Sequence, residues 1–209
     1  SVKLVLPTAL RVFAAQHLSL PDGFFGEAVG DKYRNTYFGF ELDLPPNWIV
    51  ASNEQNDTLM RLSKDTNSAK DPNLLMKLQS PEKPILVVDK YKTAAQPAAG
   101  SSSSKPSLLV DTINLKTKIV DLEAVTKKNE SMFTGLNGVR LLQPTTKTTL
   151  GGRTAYYFEL ELTKGAVTSK QHVVVTQSEN YLIFFIIAFT NDEDGLILDS
   201  TLKSVRFAK

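Results

Sequence analysis

Alternation of hydrophobic and polar positions is clearest between residues 147 and 189, where it predicts three consecutive antiparallel strands. From Arg153 to Thr163 the apolar positions recur every second residue, which is typical of a strand with one face on the core. The next run, Ser169 to Gln177, is centred on β-branched residues. The third run, Tyr181 to Phe189, is apolar on both faces, so it must be covered on both sides. We therefore predict a central strand with helices or loops packed on each face.

The turns between these strands carry equally local signals. Gly151 and Gly152 lie between two β-rich runs, and two glycines can both adopt the positive φ that a tight two-residue hairpin requires. Lys164-Gly165 and Ser178-Glu179-Asn180 predict the two following turns. Three earlier runs are also predicted to be strands, and they are 38–44, 84–92 and 106–115. In the second of these, Ile85 and Val87 are expected to share one face.

Two helices are predicted. Asp121 to Leu136 has an apolar stripe at three- and four-residue spacing, with Asp121 as N-cap and Gly135 and Gly138 as stop signals. The stripe consists of Leu122, Val125, Met132, Phe133 and Leu136. A second, short helix follows Phe189, with Asp192 as the expected N-cap and acidic residues in its first turn.

A chain of 209 residues fits one domain with an extension. We predict an N-terminal extension at residues 1–32, which includes a short helix at Thr8–His17, and a domain at residues 33–209. Residues 93–105 are rich in Pro, Gly and Ser, which predicts a mobile loop. A domain linker is the alternative, but strands of one sheet lie on either side, and this favours the loop.

Composition and charge exclude several classes of function. The net charge is +2, and basic residues are interleaved with acidic ones, so no nucleic-acid partner is predicted. The chain has no cysteine, which excludes disulfides, thiol catalysis and cysteine metal sites. Leu4 to Leu10 is apolar but too short to cross a bilayer. A membrane association is therefore expected only if an anchor lies upstream.

The sequence contains no catalytic or ligand-binding motif of known spacing, and no catalytic residue, cofactor or metal is predicted. His17 and His172 are the two histidines, and neither has a partner at metal-ligand spacing. We predict a solvated or cross-strand role for His172. The acidic run Asp192–Gly195 fails as a calcium loop, because Thr190 and Thr201 occupy its first and twelfth positions.

An aromatic group near the first predicted strand is the one candidate binding surface. Tyr33, Tyr37 and Trp48 could form a ligand platform together with Phe38 and Phe40. Core packing after a strand-ending pair of prolines is the favoured interpretation.

Three landmarks occur in order along the chain: Tyr37-Phe38-Gly39-Phe40 leading to Pro46-Asn47-Trp48, the Leu150-Gly151-Gly152-Arg153 hairpin, and the closing Leu202-Lys203-Ser204-Val205-Arg206-Phe207. Over residues 33–207 the chain resembles the PsbP-like superfamily, which includes the extrinsic PsbP subunit of photosystem II, a Ran-binding nuclear-import factor and bacterial exported relatives. The resemblance implies an α+β fold in which an antiparallel sheet is sandwiched between helices (an α/β/α sandwich). It also implies a binding or assembly module without a common catalytic motif.

We therefore expect a non-enzymatic binding or assembly module that is exported in a bacterium, periplasmic or extracellular, and contacts a protein partner. The first alternative is a small-ligand or lipid carrier, which requires an apolar cavity between the sheet and a helix layer. The second alternative is an unrecognised hydrolase, which requires at least two convergent polar groups in one cleft.

Overall fold

The computed structural model describes residues 22–51, 82–90, 106–115 and 121–208. Within these residues the chain forms two antiparallel sheets and two helices. The larger sheet has the strand order β4 (Ile49–Val50), β5 (Glu82–Asp89), β6 (Ser107–Asn114), β10 (Tyr181–Phe189), β9 (Val167–Ser178), β8 (Arg153–Lys164) and β7 (Val139–Leu150). The smaller sheet has the order β1 (Glu27–Val29), β2 (Lys32–Asn35), β3 (Phe40–Asp43) and β11 (Arg206–Phe207). The helices are α1 (Leu122–Thr134) and α2 (Asp192–Lys203). The expected α+β class is confirmed.

The apolar strand β10 lies at the centre of the larger sheet, between β6 and β9. Its neighbouring residues Phe184 and Phe185 point to opposite faces, and their exposed fractions are 5% and 0%. Both faces of the strand are therefore covered, as its sequence predicts.

One face of the large sheet packs against α1. Leu122, Val125 and Phe133 of α1 contact a core of apolar strand residues. These strand residues are Phe158, Leu160, Val173, Val175, Leu182 and Phe184. Asp121 caps the helix as predicted, because its side chain accepts a hydrogen bond from the Ala124 N–H at 3.0 Å. Met132 was predicted to lie on the buried stripe, but it is 44% exposed.

The opposite face is covered by the small sheet together with α2, and not by helices alone. Phe40 and Leu42 of β3 and Leu198 and Leu202 of α2 lie in one core with Phe185. Phe40 and Leu42 are two residues apart, so β3 presents them on one side. The predicted sandwich between helices is thus correct for α1, whereas on the other face a second sheet shares the cover with α2.

The hairpin between β7 and β8 has the predicted geometry. Gly151 and Gly152 have φ of 55° and 81°, and Leu150 pairs with Arg153 on either side of the turn. The strand predicted at 38–44 is shorter, because Gly39 has φ of 66° and β3 begins only at Phe40.

Two further predictions are corrected. Asn191, and not Asp192, caps α2, because its side chain accepts a hydrogen bond from the Asp194 N–H at 2.9 Å. A bulge between Pro84 and Leu86 places Ile85 in the same core as Leu86 and Val88. Ile85 therefore does not follow the simple alternation that grouped it with Val87.

Residues 22–32 contribute Phe24, which is 2% exposed, to the core next to β3. The division of the chain at residue 33 stays a prediction. The helix expected at Thr8–His17, His17 itself and the loop expected at residues 93–105 lie outside the described residues. No helix in the described part of the chain is both long and apolar enough to cross a membrane.

Candidate binding cleft beside the Gly151-Gly152 hairpin

A cleft of about 440 Å³ opens between the β7–β8 hairpin and the C-terminal half of α2. Its hairpin side is formed by Thr148, Thr149, Leu150, Gly151 and Gly152, its floor by Tyr157 and Val174, and its helix side by Asp199, Leu202, Lys203 and Val205. Both polar and apolar side chains therefore line a site that is open to solvent.

The hairpin reaches the helix through a close backbone contact at Gly151. A Cβ atom at this position would lie 2.8 Å from the Val205 carbonyl oxygen and 2.9 Å from the ring of Phe207. Gly151 is thus required both by its positive φ and by the lack of space. The Arg153 guanidinium lies 4.0 Å from the centre of the Phe207 ring, a cation–π contact that ties the turn to β11.

A cluster of polar side chains lies beneath the cleft, centred on His172. Its Nδ1 is 3.0 Å from an Asp199 carboxylate oxygen, and its Nε2 is 3.7 Å from a Glu159 carboxylate oxygen. The ring is packed edge to face against Phe189 and Tyr157. Only the Asp199 contact is short enough for a hydrogen bond, and the Glu159 carboxylate at 3.7 Å forms an ion pair with the ring only when the imidazole is protonated.

Tyr157 connects this cluster to the cleft floor. Its hydroxyl donates a hydrogen bond to Glu159. Burial raises the pKa of the Tyr157 hydroxyl, and the neighbouring Glu159 and Asp199 carboxylates raise it further. The phenol is therefore protonated at neutral pH and acts there as a donor and not as a base.

Helix α2 is attached to the sheets by polar bonds at several points along its length. At its first turn the buried Asp194 carboxylate lies 2.6 Å from the Lys90 ammonium and accepts a second bond from Asn191. Burial by itself would raise the pKa of Asp194, but the hydrogen bonds from Lys90 and Asn191 and the charge of Lys90 hold it below its usual value. At the other end the Ser204 hydroxyl accepts a bond from the Asp43 N–H. The helix side of the cleft is thus fixed in place.

This arrangement differs from a nucleophilic catalytic site. Both ring nitrogens of His172 face carboxylates, and in the described part of the chain no serine or threonine hydroxyl bonds to either nitrogen. A histidine that activates a nucleophilic hydroxyl must form a hydrogen bond to that hydroxyl through one ring nitrogen. Among the described residues, no group of three or more ligating side chains is placed to hold a metal ion.

The candidate aromatic surface of Tyr33, Tyr37 and Trp48 is not assembled as one surface. Tyr33 is 2% exposed, and its hydroxyl lies 2.7 Å from the Phe25 carbonyl oxygen, so it belongs to the core. Burial raises the pKa of its hydroxyl. Trp48 is half-buried against the same core.

Tyr37 is the exposed member, at 37%, and its ring lies edge to face with those of Phe38 and Tyr181. Its hydrogen bond with Tyr181 raises the pKa of its hydroxyl to about 12. A binding role of this group stays a prediction, although the position of Tyr33 agrees with the favoured interpretation of core packing.

The sequence contained a signal for half of the polar cluster. Residues Lys164 and Val167 pair across the turn, and counting back along both strands places Glu159 opposite His172, which is the cross-strand role expected for this histidine. Asp199 could not be found in the same way, because its position depends on how α2 packs against the sheet.

Comparison with known proteins identifies the fold but not a family. No family model matches the chain, and no curated protein matches it. The solution structure of cyanobacterial PsbP (CyanoP) from Synechocystis sp. PCC 6803 is similar, with a TM-score of 0.53 and 15% identity, over 92% of this chain and 99% of that one. The chain therefore has a PsbP-like fold, as the three landmarks predicted.

Two other solved structures overlap less closely. LpqN, involved in cell envelope biogenesis of Mycobacterium tuberculosis, has a TM-score of 0.46 and 15% identity over 81% of this chain and 83% of its own. A protein of Bacteroides thetaiotaomicron has a TM-score of 0.46 and 8% identity over 86% of this chain and 49% of its own.

Proposed function

We propose that the chain is a non-enzymatic binding or assembly module that holds a protein partner at the hairpin cleft. The observation that carries this proposal is the state of the polar groups around the cleft. In the polar cluster, His172 bonds to Asp199, and Tyr157 bonds to Glu159. Two nearby lysines lack such bonds. Lys203 on the helix side of the cleft and Lys147, which precedes the cleft residue Thr148 on β7, form no ion pair with any described residue. These charges are suited to recognising a partner, because they are available to one.

The PsbP-like fold supports a module of this kind, since the resemblance implies binding or assembly functions. Export from a bacterial cell, to the periplasm or beyond, is part of the same proposal and rests on the same resemblance. Locating the native protein by cell fractionation tests it, and recovery of the protein from the cytoplasm alone would contradict it.

A hydrolase is the second candidate, because His172, Asp199 and Glu159 do converge beside a cleft. If this cluster were catalytic, His172→Gln would abolish hydrolysis of small ester or amide substrates by the purified protein. We expect no such activity above that of buffer in either the wild type or the variant. An apolar carrier is less well supported, because Asp199, Lys203 and two threonines line the cleft.

The proposal is tested by site-specific photo-crosslinking in the cells that make the protein. A photoreactive amino acid at Lys147 is expected to yield a discrete crosslinked protein. The matched control is the same amino acid at Met132, which is also exposed but lies on α1, away from the cleft. Equal crosslinking from both positions, or none from Lys147, would contradict the proposal.

A further inference from the structure

We propose that the partner enters the site as an extended acidic segment that adds a strand to the edge of the large sheet, beside the second half of β7. This inference rests on the proposed function and specifies its ligand. Strand β7 is the last strand of the sheet and pairs only with β8 among the described strands. An edge strand carries outward N–H and C=O groups that can pair with another chain.

The two halves of β7 differ in how regularly they pair with β8 and in whether their outward edge is covered. In the first half the pairing with β8 is broken by register shifts between Leu141 and Thr146. Just beyond Pro144, Glu130 of α1 accepts hydrogen bonds from the Thr145 N–H at 2.5 Å and from its hydroxyl at 2.6 Å. Bulges, proline and a covered N–H are the means by which edges are closed to other chains.

The second half, Lys147 to Leu150, has regular pairing with β8 and no such cover from any residue that the structure describes. Leu150 and Arg153 flank a two-residue turn, where the first residue and the fourth are hydrogen-bonded. Because bonded and non-bonded pairs alternate in an antiparallel ladder, Thr148 and Thr146 bond inward to β8. The N–H groups of Lys147 and Thr149 then point outward, on the same side as that of Thr145, and no described residue bonds to them.

Charge identifies the chemistry of the incoming strand. Lys147 lies opposite Tyr156, whose hydroxyl reaches Glu123 of α1, so this lysine lies on the α1 side of the edge. Lys203 lies on the α2 side, in the cleft. A strand added at this edge therefore meets one lysine on each of its faces, neither of which pairs with a described residue, and acidic side chains complement both.

A second copy of β7 is disfavoured as the occupant. The strand contains Arg140 and Lys147 but no acidic residue, so two copies would bring like charges together.

The test is a selection of short random peptides displayed on ribosomes or phage against the purified chain. We expect enrichment of acidic sequences rich in β-branched residues, whose binding weakens as salt is raised. Methylation of alternate peptide N–H groups should abolish binding, because strand pairing needs them. Enrichment of basic or non-extended sequences, or no enrichment above background, would overturn the inference.

Variants locate the site. Lys147→Glu and Lys203→Glu are each expected to weaken binding of the selected peptides about tenfold, whereas Lys128→Glu, the same charge change on the exposed side of α1, should leave it unchanged. Thr149→Pro removes an outward N–H without removing a ladder bond and should abolish binding while the fold, followed by circular dichroism, is retained. Equal effects of Lys147→Glu and Lys128→Glu would contradict an edge site. Concentration-dependent dimerisation lost in Thr149→Pro would replace the acidic segment with a second copy.

The proposed function and the inference of an acidic strand can be rejected independently. Crosslinking from Lys147 in cells without acidic peptide enrichment would reject the acidic strand and retain the binding module. Peptide binding at β7 without any crosslink in cells would reject the proposed function.

Discussion

The two faces of the large sheet hold their helices in different ways. Beneath α1 the core is apolar, and the polar links from the helix to the sheet lie at its margins, where Glu123 meets Tyr156 and Glu130 meets Thr145. Beneath α2 an equally apolar core is accompanied by part-buried polar bonds to distant parts of the chain, including Asp194 to Lys90. The polar cluster and the cleft both lie on this second face.

The difference agrees with the proposed binding site on the α2 face. Several α1 side chains bond back to their own helical turns, as Thr126 does to the Leu122 carbonyl oxygen and Asn129 to that of Val125. Such bonds lie within the helix and do not attach it to the sheet. The bonds from α2 and its C-cap Ser204 instead fix the helix against Lys90, which follows β5, and against β9 and β3. A helix that is bonded to the sheets at several points is preorganised, and preorganisation lowers the entropic cost of binding.

The largest effect on stability is expected in the apolar cores, which both faces of the large sheet have in common. Phe184→Ala and Phe185→Ala should each reduce the free energy of unfolding by about 3–5 kcal/mol, because each ring is removed from a filled core. Denaturant unfolding midpoints measure both. A silent Phe184→Ala with a costly Phe185→Ala would mean that α1 does not cover its face.

A smaller effect is expected at the hairpin and separates its two glycines. Gly151→Ala should cost about 2–4 kcal/mol, since the new Cβ must displace the Val205 carbonyl in addition to the strain of positive φ. Gly152→Ala has open space and should cost only about 1–2 kcal/mol for its φ of 81°. Thermal or denaturant unfolding of the pair measures the difference, and equal costs would show that the hairpin does not rest on the segment after α2.

The smallest of the three effects concerns the Lys90–Asp194 bond. Lys90→Met leaves a buried carboxylate without its cation and should cost about 1–3 kcal/mol, below the value for fully buried pairs because Lys90 is 30% exposed. The exposed Glu123–Lys127 pair on α1 provides the control, and Lys127→Met should be nearly silent.

The same pair predicts a dependence on pH. The pKa of Asp194 is lowered in the folded state, so its contribution to stability is complete above the pKa of about 3.9 of an unfolded Asp and is lost as the pH falls through the folded value. The gap in unfolding free energy between the wild type and Lys90→Met should therefore narrow on acidification below about pH 4. A gap that widens at low pH would contradict this ion pair.

Local patterns predicted most of the large sheet. The Gly151-Gly152 turn, the alternation along β8 and the two apolar faces of β10 follow from neighbouring residues, and the Asp121 cap of α1 does so too. Alternation at 38–44 predicted β3 but not the small sheet to which it belongs. The other strands of this sheet have only two to four residues, and such short runs have no measurable period. Its closing pair, Phe40 with Phe207, joins the two ends of the domain.

The candidate site depends on tertiary contacts and was predicted only in part. The cross-strand position of Glu159 and His172 follows from the two-residue turn at Gly165 and Ala166, one residue later than the predicted Lys164–Gly165. Asp199 and Lys203 reach the cleft only because α2 packs across the sheet. The N-cap of α2 shows the same limit, since adjacent Asn191 and Asp192 are both good caps and the structure selects the first.

The central claim, that the second half of β7 is an open edge, is tested most directly by amide hydrogen exchange measured by NMR. In the free protein the N–H groups of Lys147 and Thr149 should exchange quickly and those of Thr146 and Thr148 slowly, because only the latter bond to β8. Addition of an acidic peptide from the selection should slow Lys147 and Thr149 while leaving the amides of α1 unchanged. Protection of Lys147 and Thr149 in the free protein, or peptide-induced protection confined to α1, would contradict the account.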